Sequence, residues 1–289
     1  MPHIAPNSIP PSWYMTRTPR LNYDSLTLDG ITDTEPYHVS GIDYDASTRS
    51  IIDQANSGNP FVTNGADLSG PNKVIRYDTV SKTVAYTADL AEFVAQARVG
   101  NSAAGGFQDS AEDAEGNAYV TTTFNVGAIA KISKTGDVTP WYIGDATPSF
   151  DVASESPAPT DITMTGRPAD GSYAGLGCDG LISPARYGRK VLLCSDNGQA
   201  ATTLWATGDG FASVRYVGQV ANNGTEEVAK FGTVVATVEM GNSLYVNNEF
   251  FNDTGVFDLA GDRASFPLVG STAEFDALVS AARFEITTC

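Results

Sequence analysis

Several features that would define a common functional class are missing from this chain of 289 residues. No apolar run approaches the eighteen or so residues that a membrane-spanning helix needs. Basic residues are scarce, with 17 Lys and Arg against 34 Asp and Glu, and the formal net charge is -17. Phosphate groups would be repelled by such a protein, so we expect no nucleic-acid or anionic-membrane partner. The expected partner is neutral or cationic.

The short motifs of several enzyme classes are absent as well. The sequence contains no G-x-S-x-G, no HExxH, no phosphate-binding P-loop and no dinucleotide-binding fingerprint. The sequence therefore gives little support to serine hydrolase, zinc protease, NTPase or Rossmann-type chemistry. Histidine is also rare, with 2 residues in the chain.

Cysteine is limited to 3 residues, so at least one thiol has no partner for a disulfide. Cys178 and Cys194 lie on either side of the turn "ARYGRK", which allows a bridge between neighbouring strands. Three reduced and buried thiols fit the spacing nearly as well. Arg186 and Arg189 flank the same turn and are expected to face solvent. No cysteine has the neighbours of a zinc site or an activated thiolate.

Evidence for secretion is indirect. No basic segment followed by an apolar one is visible at the N-terminus, but "IAPNSIPPSWY" would suit a mature N-terminus after removal of a signal peptide. Asn223 and Asn252 begin N-x-Thr sequons in turn-like contexts, where a glycan would face water. We therefore predict a secreted or secretory-pathway protein, glycosylated at these two sites and bridged by Cys178 and Cys194.

The composition that is present, with 28 Gly, 13 Phe and 12 Tyr, favours many turns and short strands. One plan recurs four times: an apolar segment, a short turn of Asp, Gly or Asn, and a second β-run that ends in polar residues. Each copy of this plan is followed by a third and a fourth β-run. The repeats lie at 40–56, 111–125, 181–197 and 236–250. Short helices are predicted over 90–100 and 272–284.

Repeated four-stranded meanders must stack to bury both faces, and the closed stack is a β-propeller. We therefore predict an all-β, single-domain propeller over 1–289, with one blade closed by strands from both chain ends. Four units are clear, the chain ends would give a fifth, and 144–175 is a candidate sixth.

The first strand of each blade lines the channel of a propeller, and these strands are predicted at 37–43, 107–113, 177–183 and 233–239. Gln108 and Asp109 stand at the entry of the second. Strict alternation puts Phe107 and Asp109 on one face of that strand, and Gln108, Ser110 and Glu112 on the other. The following "EDAEGN" is typical of a turn, with Asp and Asn bonding the local backbone.

The runs "PYHVSGIDYD", "GPNKVIRYDT", "GGFQDSAEDAEGNAYV" and "CDGLISPARYGRKVLLCSDN", in this order, resemble a family of fungal secreted β-propellers. The family is encoded in secondary-metabolite clusters and named after the fourteenth-gene product of trichothecene clusters. A more distant resemblance to six-bladed propellers of the gluconolactonase and strictosidine-synthase type favours six blades, with five as the alternative.

Some members of the fungal family look like hetero-Diels–Alderases of tropolonic sesquiterpene biosynthesis. The resemblance implies dehydration of a tropolone alcohol to an ortho-quinone methide, which adds to a humulene-like sesquiterpene without a cofactor or metal. Such chemistry needs a proton donor, a proton acceptor and a dry site. The candidate acid, base or hydrogen-bonding groups are Asp109, Gln108 and His38, and the candidate walls are Tyr37, Phe107, Trp13 and Tyr14.

Two other functions are kept as alternatives. One is a calcium-dependent lactonase or related hydrolase, with Asp109, Glu112, Glu239 and Asn247 as oxygen ligands of one metal ion. The other is a non-catalytic propeller that binds a metabolite or a protein partner. The sequence does not predict an oligomeric state.

Overall fold

The computed structural model describes residues 27–32, 34, 37–45, 47–144, 162–168, 178–222, 224, 226–250 and 267–283. The chain divides into two compact units. We call Tyr23–Thr160 the N-terminal unit, and Asp161–Cys289 together with Met1–Asn22 the C-terminal unit.

The N-terminal unit contains two antiparallel meanders. The first has the strand order β1-β2-β3-β4 and the second β5-β6-β7-β8-β9. The strands are β1 (Tyr37–Asp45), β2 (Ser50–Ser57), β3 (Asn72–Asp78), β4 (Thr83–Asp89), β5 (Arg98–Val99), β6 (Ser102–Glu112), β7 (Ala118–Asn125), β8 (Ala128–Ile132) and β9 (Val138–Ile143). Two short helices, α1 (Asn59–Val62) and α2 (Ala91–Gln96), follow β2 and β4.

Alternation explains how these strands form one core. In β8 the buried residues Ala128, Ala130 and Ile132 alternate with partly exposed ones, as expected for a strand with one buried face. The buried faces of both sheets share one apolar cluster. Within it the ring centroids of Phe93 and Phe107 lie 5.9 Å apart. Each fully buried large side chain contributes about 1.5–3 kcal/mol to folding, so this cluster accounts for much of the stability of the unit.

The C-terminal unit contains a sheet of order β10-β14-β13-β12-β11 and a sheet of order β15-β16-β17. The strands are β10 (Thr163–Thr165), β11 (Cys178–Ile182), β12 (Val191–Asp196), β13 (Ala201–Ala206), β14 (Ser213–Ala221), β15 (Thr233–Met240), β16 (Ser243–Glu249) and β17 (Leu268–Gly270). A 3₁₀ turn spans Ala185–Tyr187, and the helices are α3 (Glu226–Phe231) and α4 (Thr272–Ala281). No helix in the described parts of either unit has the length and apolar character needed to cross a membrane.

Four sheets in the described residues are fewer than the six blades, or five, predicted from the sequence. The predicted closing strands at both chain ends, and most of the candidate blade at 144–175, lie outside the described residues. Blade number and closure stay predictions. The helices predicted over 90–100 and 272–284 are confirmed as α2 and α4.

The four predicted first strands correspond to β1, β6, β11 and β15, and each carries a β-bulge. The register shifts between Val39 and Ile42, Phe107 and Ser110, Cys178 and Leu181, and Val234 and Ala236. A bulge redirects the side chains beyond it and is common beside active sites. The bulged residues include Gln108 and Asp109 of β6 and Asp179 of β11, so these strands present polar groups at equivalent positions.

Glycine occupies two of these bulges because another strand passes too close for a side chain. A Cβ at Gly41 would collide with Gln54 Oε1 and with the carbonyl oxygen of Gln108 in the bulge of β6. A Cβ at Gly180 would lie 2.7 Å from the carbonyl oxygen of Val235 in the bulge of β15. The same close approach of neighbouring first strands is therefore repeated in both units.

We expect Gly41→Ala to lower the free energy of unfolding by about 3 kcal/mol, the upper part of the range for overpacking a tight interior. Urea unfolding followed by circular dichroism measures the change. Gly127→Ala is the matched control, because a Cβ there has no atom within 4 Å. Equal stability of the two variants would contradict the close approach of β1 and β6.

The disulfide between Cys178 and Cys194 is present, with the two Cα atoms 5.2 Å apart. It joins β11 to β12 at the bulge that contains Asp179, since Cys194 is paired with Leu181 in the ladder. The pairing predicted from the spacing is confirmed.

Candidate functional site

The two polar residues predicted at the entry of the second blade lie in the bulge of β6. Asp109 Oδ1 accepts the backbone N–H of Ser110 at 2.9 Å, and Gln108 Oε1 accepts the hydroxyl of Thr123 at 2.5 Å. Both side chains are partly exposed. Their catalytic roles stay predictions.

His38 is held by aromatic packing. Its ring centroid lies 4.6 Å from that of Phe61, which in turn contacts Phe124 at 5.3 Å. Burial lowers the pKa of His38 below its usual value of 6.5. The imidazole is therefore neutral at pH 7, a form that accepts a proton but is a poor acid.

Tyr37 and Phe107, the two predicted aromatic walls within the described residues, pack on different faces of the first sheet. Tyr37 packs with Ala55 and Ile75 on one face of the first sheet. Phe107 is fully buried against the opposite face, in the cluster that contains Ile52. The expectation that Phe107 and Tyr37 line a common pocket is corrected, because the Phe107 ring belongs to the core. Trp13 and Tyr14 lie outside the described residues, as do Asn223 and Asn252.

Among the described acidic residues of the N-terminal unit, Glu112 has a strongly raised pKa. Glu112 ends β6, and Asp43 on β1 is the neighbouring acidic residue that most affects its carboxyl group. Burial, followed by the adjacent Asp43 carboxylate, raises the pKa of Glu112 to about 8. The Glu112 carboxyl group is therefore protonated at neutral pH. Among the described residues, Glu112 Oε1 is buried without a hydrogen-bond partner.

A fixed cation stands beside this carboxyl pair. Arg76 is buried, and its guanidinium donates to Gly116 O and to Thr48 Oγ1, both at 2.8 Å. The same group lies 3.5 Å from Asp45 Oδ2. Its charge opposes the rise in the pKa of Glu112 but does not cancel it. Glu112 is thus protonated, and the nearby Arg76 guanidinium limits the negative charge around Asp43 and Asp45.

A serine hydroxyl lies on the same face of β6 as Glu112. The fully buried Gln54 donates from Nε2 to Ser110 Oγ at 2.8 Å. Within the described residues, the hydroxyl hydrogen of Ser110 has no assigned acceptor, so it is available to a ligand. Residues two apart on a strand are separated by roughly 7 Å. Ser110 and Glu112 can therefore contact two different oxygens of one small molecule.

Sequence reasoning missed most of this constellation. The sequence pattern indicates Glu112 only as a metal ligand and does not point to Asp43, Gln54 or Arg76. Strict alternation separated Phe107 from Ser110 and Glu112, whereas the bulge places all three toward the first sheet. A possible signal was the "DYD" of β1, whose acidic residues recur at every second position.

The residues of the metal-dependent alternative belong to both units. Glu239 accepts the backbone N–H groups of Ala185 at 2.7 Å and Arg186 at 3.0 Å, so its carboxylate holds the 3₁₀ turn. Asn247 lies on β16 of the same unit, while Asp109 and Glu112 belong to the N-terminal unit. In the described ranges, no group of three or more His, Cys, Asp and Glu side chains is arranged to hold a metal ion.

Comparison with known proteins gives a fold but no family. No protein-family model matches the chain, and no curated protein matches it. The chain is similar to the major allergen Mala s 1 of Malassezia sympodialis, with a TM-score of 0.65, 15% identity, and coverage of 85% of this chain and 81% of that one.

An exo-β-1,3-galactanase of Phanerochaete chrysosporium gives a TM-score of 0.38 at 10% identity, over 83% of this chain and 47% of that one. The similarity to Mala s 1, a fungal β-propeller, agrees with the repeated meanders of both units. The fold is an all-β propeller.

Proposed function

We propose that this protein is a hetero-Diels–Alderase of the fungal secondary-metabolite type, acting on a tropolone alcohol and a humulene-like sesquiterpene. The feature that supports the proposal is the place of Glu112 beside Asp43, where burial and the neighbouring carboxylate raise the pKa of Glu112 to about 8. The sequence resemblance to fungal cluster propellers supplies the substrate class. The disulfide fits the secreted location proposed with it, because disulfides persist in oxidising compartments.

The first step is loss of water. Glu112 donates its proton to the hydroxyl of the hydroxymethyl group, the C–O bond breaks, and water leaves. A carboxylate of the pair takes the proton of the ring hydroxyl, which produces a neutral ortho-quinone methide. One proton is given and one is taken, so the pair returns to its starting state. An acid with a pKa near the working pH is well suited to this exchange.

The second step is the cycloaddition, in which the quinone-methide oxygen and its methylene carbon each bond to one carbon of a sesquiterpene double bond. Ser110 is placed to donate a hydrogen bond to that oxygen, and Gln54 fixes the orientation of the serine hydroxyl. A donor at this atom activates the heterodiene, because negative charge grows on the oxygen in the transition state.

The hydrocarbon partner needs apolar surface. Ile42 and Tyr44, the neighbours of Asp43 along β1, are 65% and 54% exposed. Contact with a sesquiterpene would remove water from these exposed apolar side chains, and burying apolar surface lowers the free energy. Successive residues of a strand point to opposite faces, so Ile42 and Tyr44 offer this hydrocarbon contact on the other face of β1 from Asp43.

The test is an assay of the purified protein with a hydroxymethyl tropolone and humulene, followed by chiral chromatography and mass spectrometry. We expect one adduct stereoisomer, formed faster than in buffer. Binding of the tropolone alcohol without turnover would favour the non-catalytic alternative. Formation of a racemic adduct at the buffer rate would contradict catalysis.

We expect Ser110→Ala to reduce kcat for the adduct by about tenfold, because one hydrogen bond to the developing oxyanion is lost. KM should change less, since this bond strengthens only in the transition state. Ser133→Ala is the control, because Ser133 lies in the exposed turn between β8 and β9. An unchanged kcat in Ser110→Ala would remove Ser110 from the mechanism.

A further inference from the structure

The C-terminal unit contains a surface cleft whose charge is opposite to that of the whole protein. The cleft has a volume of about 370 Å³ and is lined by Arg189, Lys190, Arg283, Phe211 and the loop residues Thr207, Gly208 and Gly210. We call it the basic cleft. Three of the 17 basic residues in the chain meet here, although the net charge is -17. An anion is therefore repelled by most of the surface but attracted at this point.

The loop that forms one wall of the basic cleft is held by its own hydrogen bonds. Thr207 Oγ1 accepts the backbone N–H of Phe211 at 2.9 Å and that of Asp209 at 3.2 Å. Asp209, the acidic residue of this loop, uses both carboxylate oxygens to accept hydrogen bonds from Thr207 and Ser213. Its carboxylate is thus bound within the loop, and Phe211 is held in position.

Backbone strain is concentrated at the same place. Arg189, Phe211 and Arg283 have φ angles of 55°, 69° and 62°. Eight non-glycine residues among the described ones have positive φ, so three of the eight line this cleft. Glycine would adopt this conformation at lower cost. The positive φ angles fix the directions in which Arg189, Phe211 and Arg283 leave the backbone at the cleft.

We propose that the basic cleft binds a small organic anion with an aromatic or aliphatic body and one carboxylate. The guanidinium groups match a carboxylate, with which arginine forms paired hydrogen bonds. Phe211 offers an apolar contact to the body of the ligand. The volume lies at the lower end of the range for ligand pockets, which limits the ligand to one or two rings. This site is independent of the proposed reaction and lies in the other unit.

The test uses 1-naphthoate as the probe and the neutral 1-naphthamide as its uncharged analogue, with binding measured by calorimetry. We expect the native protein to bind naphthoate at least tenfold more tightly than naphthamide. In the double variant Arg189→Gly/Arg283→Gly the affinity for naphthoate should fall about tenfold or more. The melting temperature of this variant should stay the same or rise, because two strained positions are relieved.

Arg49→Gly/Lys82→Gly is the matched control. Both residues are basic and exposed, with φ angles of 56° and 58°, and both belong to the N-terminal unit. This variant loses the same charge and the same strain, and it should bind naphthoate as the native protein does. The proposal is overturned if both double variants lose affinity equally, if naphthamide binds as well as naphthoate, or if naphthoate does not bind at millimolar concentration.

Discussion

Glu112→Gln is expected to lower kcat for adduct formation by roughly 100-fold to 10,000-fold, the range that general-acid catalysis contributes. The amide has nearly the shape of the protonated carboxyl group and, like it, carries no charge beside Asp43. The amide cannot release a proton to the leaving hydroxyl, however. The rate is measured with a hydroxymethyl tropolone and humulene, and single-turnover kinetics separates loss of water from cycloaddition.

The matched control for this variant is Glu115→Gln, because Glu115 lies three residues further along the chain in an exposed turn. Its kcat should equal that of the native protein. A preformed quinone methide should restore much of the rate in Glu112→Gln, since that substrate has already lost water. If Glu112→Gln keeps activity within twofold of native, the acid lies elsewhere. Asp109→Ala and His38→Ala would then be the next variants to assay.

The same substitution has a stability signature that does not depend on activity. The pKa of Glu112 rises from 4.5 to about 8 on folding, so the folded protein binds this proton more tightly than the unfolded chain. Its contribution to stability is full below pH 4.5 and is lost as the pH rises toward 8. Glu112→Gln removes this dependence. Its melting temperature should match the native value near pH 4 and exceed it at pH 9.

The sequence predicts the repeated meanders, the first strand of each sheet and the cysteine pair, because each depends on local pattern and short spacing. The side-chain directions in β6 were not predictable in the same way. A bulge at Gln108 and Asp109 shifts the alternation, and a bulge depends on how the neighbouring strand pairs. The partnership of Glu112 with Asp43 was missed for a related reason, since it requires β1 and β6 to pack together over a long sequence separation.

Arg186 in the C-terminal unit is a second residue whose side-chain direction the local sequence pattern does not predict. Its place beside a tight turn predicted a solvent-facing side chain, and that prediction was wrong because Arg186 is only 5% exposed. Its guanidinium donates to Asp276 of α4, with Nη2 at 2.9 Å from Oδ1 and 2.6 Å from Oδ2. Arg189, three residues further on, is exposed as predicted. The partner of Arg186 is 90 residues away, beyond the reach of local pattern.

Asp276→Ala is therefore expected to lower the free energy of unfolding by about 3 kcal/mol, the lower end of the range for breaking a buried ion pair. The loss lies at the lower end because the Asp276 side chain is 31% exposed and water partly screens its charge. The substitution leaves the Arg186 charge buried without its carboxylate. It also removes the acceptor of the Tyr187 hydroxyl, which donates to Asp276 Oδ1 at 2.8 Å. Urea unfolding measures the loss.

Two further variants separate charge from packing at this position. Glu274→Ala, on the exposed face of α4, should cost less than 1 kcal/mol, because it removes only a charge near the helix N-terminus. Arg186→Met/Asp276→Leu should recover part of the loss, since replacing both partners with apolar residues leaves no buried charge. If Asp276→Ala and Glu274→Ala unfold at the same urea concentration, Arg186 is solvated and the ion pair does not hold α4. If the double variant is less stable than Asp276→Ala, the stabilisation comes from the hydrogen bonds of Arg186 to Asn242 rather than from its charge partner.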